Sequence, residues 1–279
     1  MRVLSSPIAA SKITLPSPRV LVPTMGALHT GHLALLKKGR ALAGKDGALL
    51  ASIFVNPIQF GPNEDLAKYP RPRRDDLNLC RDAGVDLVFA PEPAGMYAPD
   101  HSVFIDESQL SSGLCGAARA GHFQGVCTVV GKLFNILQPQ IAVFGEKDYQ
   151  QLAVIRRMVR DLNFPVKIVA LPTVREADGL ALSSRNRYLS AEERASAPVI
   201  RQSLLATRDQ VQNGESGTPK LLRKAHAAIE KNGGRIDYIE IVDAETLKPQ
   251  QKITSRCVIA AAVFFGKTRL IDNCLLVPR

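Results

Sequence analysis

Two histidines three residues apart, His29 and His32, stand in the run Pro23-Thr24-Met25-Gly26-Ala27-Leu28-His29-Thr30-Gly31-His32. The run follows a β-branched segment at residues 20–22 and opens a stretch of helical period. Gly26 and Gly31 let backbone amides come close to a ligand, a helix N-terminus favours anions, and imidazoles at this spacing can face the same oxygens. One histidine in such a place would more often cap the helix or satisfy the loop. Two of them, with paired glycines at a strand-to-helix junction, predict a phosphate site built with imidazoles.

Three further runs carry chemistry-bearing residues. Gly145-Glu146-Lys147-Asp148-Tyr149-Gln150-Gln151 follows an apolar segment and opens a helix. Gly145 would allow close backbone approach, Lys147 would bring a point charge to a phosphate, Asp148 would cap the helix or accept from a ribose, and Gln151 could both donate and accept. The same string also reads as a charged helix start. Leu182-Ser183-Ser184-Arg185-Asn186-Arg187 offers hydroxyls and a guanidinium suited to triphosphate oxygens. Taken alone it is no more than a serine-rich basic loop. In Phe54-Val55-Asn56-Pro57-Ile58-Gln59-Phe60-Gly61-Pro62, Gln59 is either a polar group set in an apolar pocket, able to orient a small acid, or a turn residue bonded to its own backbone. A Walker loop is not among these runs. Gly125 to Lys132 comes nearest, but it holds five residues between its glycines and puts Leu133 where a magnesium-binding hydroxyl belongs, and no GxGxxG occurs.

The elements that must position these residues follow from periodicity. Short apolar runs at 20–22, 48–55, 85–89, 141–144 and 166–171 alternate with helical patterns at 33–43, 75–83, 126–137 and 149–162. That alternation predicts an α/β domain, residues 1–173, with a parallel sheet whose crossover helices cover both faces. From 174 to 279 the pattern changes. A polar loop leads to Ser190, an N-cap with Glu193 three residues on, then two helical stretches and strands at 237–242, 257–265 and 269–276. A smaller α+β domain with an antiparallel sheet is expected there.

Composition narrows the classes. The 279 residues include 46% hydrophobic and 22% charged, near the globular average. The longest apolar run, 257–265, is far short of a membrane span, and no secretory signal opens the chain, so a cytoplasmic protein is expected. Five scattered cysteines without a CxxC pair favour free thiols over disulfides or zinc. The net charge of +10 is spread over short clusters rather than one tract, and aromatics make up only 5% with no tryptophan, which argues against a nucleic-acid surface.

The strings PTMGALHTGH, FVNPIQFGP, GEKDYQQ and PTVREADGLALSSRNRYLS, in this order, together resemble the pantothenate synthetase family over nearly the whole chain. The His-x-Gly-His core is shared with the wider nucleotidyltransferase superfamily; the combination of four is far more specific. The resemblance implies that pantoate attacks the α-phosphorus of ATP to give pantoyl adenylate and pyrophosphate, and that β-alanine then displaces AMP to give pantothenate. It implies ATP contacts from Met25, Gly26, Ala27, Leu28, His29, Thr30, Gly31, His32, Gly145, Glu146, Lys147, Asp148, Val174, Leu182, Ser183, Ser184 and Arg185. Gln59 and Gln151 would hold pantoate, Gln59 also β-alanine, and His32, His29, Lys147 and Arg185 would stabilise charge on the phosphates. Magnesium would accompany ATP through phosphates and water, with no protein ligand assigned; Asp75 and Asp76 fall where the family has an acidic pair. The fold implied is a doubly wound, Rossmann-like nucleotide-binding domain followed by a smaller α+β domain acting as a lid; no tightly bound organic cofactor is implied, and a homodimer is implied. The family commonly has Met where this chain has Leu182, a change of small expected effect.

Two other readings compete with this one. A nucleotidyltransferase acting on a phosphorylated or nucleotide acceptor should offer several cations at its acceptor site, whereas Asn56, Gln59 and Gln151 better suit a small neutral-to-monoanionic acid. An RNA-binding module lacks its continuous basic stripe and its aromatics.

Overall fold

The computed structural model describes residues 1–62 and 64–278. The chain divides into two compact units. The first comprises Met1–Glu107, Arg119–Glu146 and Gln151–Pro172; the second comprises Ser108–Ala118, Lys147–Gln150 and the chain from Thr173.

In the first unit, six strands run β1 (Arg2–Leu4), β2 (Arg19–Thr24), β3 (Ala48–Ile53), β4 (Leu87–Phe89), β5 (Ile141–Gly145) and β6 (Lys167–Leu171). They lie in the order β1-β4-β3-β2-β5-β6, every pair parallel. Helices Thr30–Ala43, Arg73–Asp82, His122–Leu137 and Tyr149–Asp161 make the longer crossovers. Val20, Leu21 and Val22 of β2 and Leu49 and Leu50 of β3 are fully buried, which is why these strands read as unbroken apolar runs rather than alternating ones. Strands β2 to β4 progress toward one edge, and the chain then returns to lay β5 against the other side of β2. The order therefore reverses between β2 and β5, and in such sheets ligands bind beyond the carboxyl ends at that reversal. The histidine run follows β2, and Gly145 ends β5.

The second unit is smaller. Strands β7 (Arg235–Asp243), β8 (Cys257–Phe265) and β9 (Thr268–Leu276) form an antiparallel sheet. Helices Val199–Gln212 and Thr218–Lys231 contribute Ile200, Leu204, Leu221 and Ile229 to a core shared with Ile259, Val263 and Leu276 of the sheet. Ser190 opens the helix Ala191–Ser196 with the expected reciprocal cap: Glu193 N–H donates to Ser190 Oγ at 3.2 Å and Ser190 N–H to Glu193 Oε2 at 2.9 Å. The α/β parallel sheet and the small α+β unit are the architecture expected from periodicity. Strand β1, three residues at the sheet edge, was not anticipated, because so short a run carries no period. No helix of the described residues is long and apolar enough to cross a membrane.

Candidate active site

The turn between β2 and the Thr30–Ala43 helix is held almost entirely through its backbone N–H groups. Gly26 N–H donates to Thr24 Oγ1 at 3.2 Å, and Thr24 Oγ1 itself donates to the Ser52 carbonyl at 2.7 Å. Ala27 and Leu28 N–H donate to the two carboxylate oxygens of Asp76, at 2.9 and 2.7 Å. Asp76 is 1% exposed, so its charge is balanced by these amides rather than by water. Gly26 and Ala27 both take positive φ, 80° and 50°, and a Cβ on Gly26 would come within 2.8 Å of Asp76 Oδ2. Only glycine fits at position 26.

The histidines complete the pattern. Gly31 N–H donates to His29 Nδ1 at 3.1 Å, and His29 N–H donates to His32 Nδ1 at 3.3 Å. Both imidazoles thus cap the helix, in the reciprocal manner usual for serine and glutamate. An Nδ1 that accepts from an amide carries no proton, so each neutral ring bears its hydrogen on Nε2. The cap thus sets the tautomer, with the ring proton of each neutral imidazole at Nε2. The ring centroids are 4.1 Å apart, with the ring planes tilted by 46°. The amides of Gly26, Ala27, Leu28, His29 and Gly31 all have acceptors within the protein.

The residues proposed from the sequence for a small acid, Gln59 and Gln151, lie on the same unit. Gln59 ends a 3-10 turn, Pro57–Gln59, and is buried. Its Oε1 accepts from Asn56 Nδ2 at 3.2 Å, and its Nε2 lies 2.9 Å from Met25 Sδ. Asn56 also donates to the Gly125 carbonyl at 3.0 Å and accepts from the Tyr97 hydroxyl at 2.8 Å. Burial pushes the Tyr97 hydroxyl well above its ordinary pKa, keeping it a donor. Gly125, the first glycine of the Walker-like string, lies inside the His122–Leu137 helix. A Cβ there would sit 2.6 Å from Gln59 Cα, so this glycine exists for close packing beneath the turn. Gln151 is half-buried in the first turn of the Tyr149–Asp161 helix.

On the second unit, Lys147 Nζ lies 3.9 Å from Asp148 Oδ1, and Asn273 Nδ2 donates to the Lys147 carbonyl at 3.0 Å. The neighbouring Gln150 is consumed structurally: its Nε2 donates to the carbonyls of Leu110 and Gly113 and its Oε1 accepts from Cys115 N–H. Leu182 N–H donates to the Val174 carbonyl at 3.0 Å, so these two ATP candidates are backbone partners across a short hairpin. Ser183 caps the following 3-10 turn, Ser184–Tyr188, by accepting from Arg185 N–H at 3.2 Å. Asn186 fixes that turn through Glu176 Oε1 and the Ala181 carbonyl.

Among the described residues no group of three or more His, Cys, Asp or Glu could hold a metal ion. Asp76 would have to give up Ala27 and Leu28 to serve as a ligand, while Asp75 is exposed. The residues do not supply a magnesium cage. An ion carried on phosphate oxygens and water is compatible with this site.

Asp76, Asn56 and Gly125 were visible as residues but not as supports, and Tyr97, Arg119 and His122 carried no sequence signal at all. Their partners lie tens of residues away in the chain.

Comparisons with known proteins place the chain in a family. The family model for pantoate-beta-alanine ligase matches residues 9–275. A pantothenate synthetase of Akkermansia muciniphila is 57% identical over 255 residues, 91% of this chain and 90% of that protein. One from Thermosipho africanus is 49% identical over 276 residues, 99% of this chain and 97% of that protein. The crystal structure of the pantothenate synthetase of Thermus thermophilus superposes with a TM-score of 0.93 at 47% identity, covering 100% of both chains. The pantoate-beta-alanine ligase of Francisella tularensis, complexed with beta-gamma ATP and beta-alanine, superposes at 0.79 with 32% identity over 99% of this chain and 97% of that one. On the match to the family model and on identities near half across nearly the whole chain, this protein belongs to the pantoate-beta-alanine ligase family and is a ligase.

Proposed function

We propose that the chain condenses (R)-pantoate with β-alanine at the expense of ATP, through a pantoyl-adenylate intermediate. Pantoate is a carboxylate at neutral pH, so the first step needs positioning and charge stabilisation rather than a base. A carboxylate oxygen attacks the α-phosphorus, the bond from that phosphorus to the bridging oxygen breaks, and pyrophosphate leaves. The amine nitrogen of β-alanine then attacks the acyl carbon, AMP departs with the carboxyl oxygen that joined it, and the nitrogen loses its proton to give the amide.

The single observation that carries this reading is the pair of imidazoles, each tied at Nδ1 to a backbone N–H and so bearing a proton on Nε2. Such donors are fixed before the reaction and suit the charge that grows on the phosphate oxygens as the α-phosphorus becomes five-coordinate. We assign Lys147 and Arg185 to the same charge on chemistry and motif. ATP also contacts Met25 to His32, Gly145, Glu146, Asp148, Val174, Leu182, Ser183 and Ser184. Gln59 and Gln151 hold pantoate, Gln59 touches β-alanine, magnesium arrives with the nucleotide, and the enzyme works as a cytoplasmic homodimer.

Exchange of labelled pyrophosphate into ATP tests the intermediate directly. Exchange that requires pantoate but not β-alanine, and that collapses in His32→Ala, supports the adenylate. Exchange that requires β-alanine would eliminate it.

A further inference from the structure

Behind the Gln59 turn lies a set of polar side chains that the reaction as described does not use. His122 is 8% exposed and stands in the first turn of the His122–Leu137 helix. Its Nδ1 lies 2.9 Å from the Gln59 carbonyl oxygen, and its Nε2 lies 3.0 Å from Nη1 of Arg119. The Arg119 guanidinium donates through Nε to Glu64 Oε1 at 2.8 Å and through Nη2 to Glu64 Oε2 at 2.5 Å, and Nη2 also reaches the Gln59 carbonyl at 3.4 Å.

The chemistry of these partners sets the proton on His122. A carbonyl oxygen can only accept and a guanidinium can only donate, so the ring carries its hydrogen on Nδ1 and a lone pair on Nε2. This is the tautomer opposite to that of His29 and His32. With both nitrogens engaged in this way, His122 has no lone pair to take a proton from an amine, and it is not the missing base. What it does is turn a donor from Arg119 into a second donor aimed at the backbone of Gln59, while Glu64 fixes the guanidinium fork from the far side. Gly125, one turn further along the helix, lets the turn seat against the same element.

We infer that Glu64, Arg119 and His122 form a positioning relay that sets the Pro57–Gln59 turn so that the Gln59 amide meets pantoate at a fixed place. The inference rests on the assignment of Gln59 to pantoate. These are positioning residues: each acts through the Gln59 backbone, and a displacement of about 1 Å there can cost up to about a hundredfold in rate.

Two measurements test the relay. In the wild-type enzyme, long-range ¹⁵N–¹H correlation spectra should show His122 protonated at Nδ1 and His29 and His32 at Nε2; an Nε2 proton on His122 would overturn the relay without any variant. In steady state, His122→Leu should raise the KM for pantoate about tenfold with the KM for ATP moving less than about twofold. His122→Asn, whose amide nitrogen can take the place of Nδ1 and donate to the Gln59 carbonyl, should recover most of that loss, and Arg119→Lys should show an intermediate rise. If His122→Leu raises both KM values together, or if His122→Asn recovers nothing, the group is merely structural. Gln59→Leu separates the two levels. A raised pantoate KM in Gln59→Leu without one in His122→Leu sinks the relay alone, whereas an unchanged KM in Gln59→Leu removes the assignment of Gln59 and the relay with it.

Discussion

The turn that carries His29 and His32 and the turn that carries Ser183 to Arg185 are proposed to serve the same triphosphate, yet they are held by different physics. In the histidine turn, five backbone N–H groups are taken by side chains, and the central acceptor, Asp76, is a carboxylate buried to 1% exposure. In the serine turn, one short cap from Ser183 and the Asn186 side chain fix the backbone, and the surrounding charge lies in half-exposed pairs of Arg194 with Glu176 and Asp178. Buried charge-assisted bonds are rigid and costly to break, whereas exposed pairs contribute little. The first turn is therefore preorganised, and the second can rearrange at small cost.

The contrast breaks most sharply at His32. His32→Ala should lower kcat by about 10²- to 10³-fold, the loss expected for a preorganised donor to developing charge, with only about 1 kcal/mol of stability lost from the cap. A matching loss from Ser183→Ala would show that the two turns are equally preorganised. Next in size is Asp76→Ala, which orphans two buried amides and should cost roughly 3 kcal/mol in urea unfolding, with activity falling alongside. Asp76→Asn sharpens the point, because its NH₂ group would face one of those amides, so it should recover less than half of the loss.

Gly125→Ala should raise the pantoate KM about tenfold despite the higher helix propensity of alanine, because the new methyl collides with the Gln59 backbone. Arg194→Ala, at the serine turn, should change stability by less than about 1 kcal/mol. The smallest effect is alkaline. Burial, helped by Glu107 and Asp106, pushes the Cys127 thiol from 9.0 to about 12. Above pH 9.0 the unfolded chain holds fewer protons at this site than the folded one, so stability falls as pH rises toward about 12. Cys127→Ala should flatten that fall in a series of unfolding curves.

Much of the site could be read from residues in a row. The histidine run, its strand-to-helix setting and the Ser190 cap depend on near neighbours, and near neighbours leave a pattern. Gln59 could be singled out because it stands polar among apolar neighbours, but its side-chain partners, Asn56 and Met25, are set by the fold. Periodicity also gave most strands of both sheets to within a few residues, because central parallel strands such as β2 and β3 are buried on both faces and continuously apolar, while the antiparallel β9 alternates buried and half-buried residues. It missed β1, where three residues are too few to show a period.

The amino-acid order alone thus determined the class of fold and singled out the histidine run and Gln59 as site candidates, since each depends on composition and local spacing. Only the tertiary structure decided the protonation pattern and the supports. Whether an imidazole carries its hydrogen on Nδ1 or Nε2 depends on which donor or acceptor faces it. For His122 one of those partners, the Gln59 carbonyl, lies 63 residues away along the chain. Asp76 reads as half of an acidic pair until folding brings it against the amides of Ala27 and Leu28, 49 and 48 residues upstream, because a carboxylate's role is set by the donors that surround it in space.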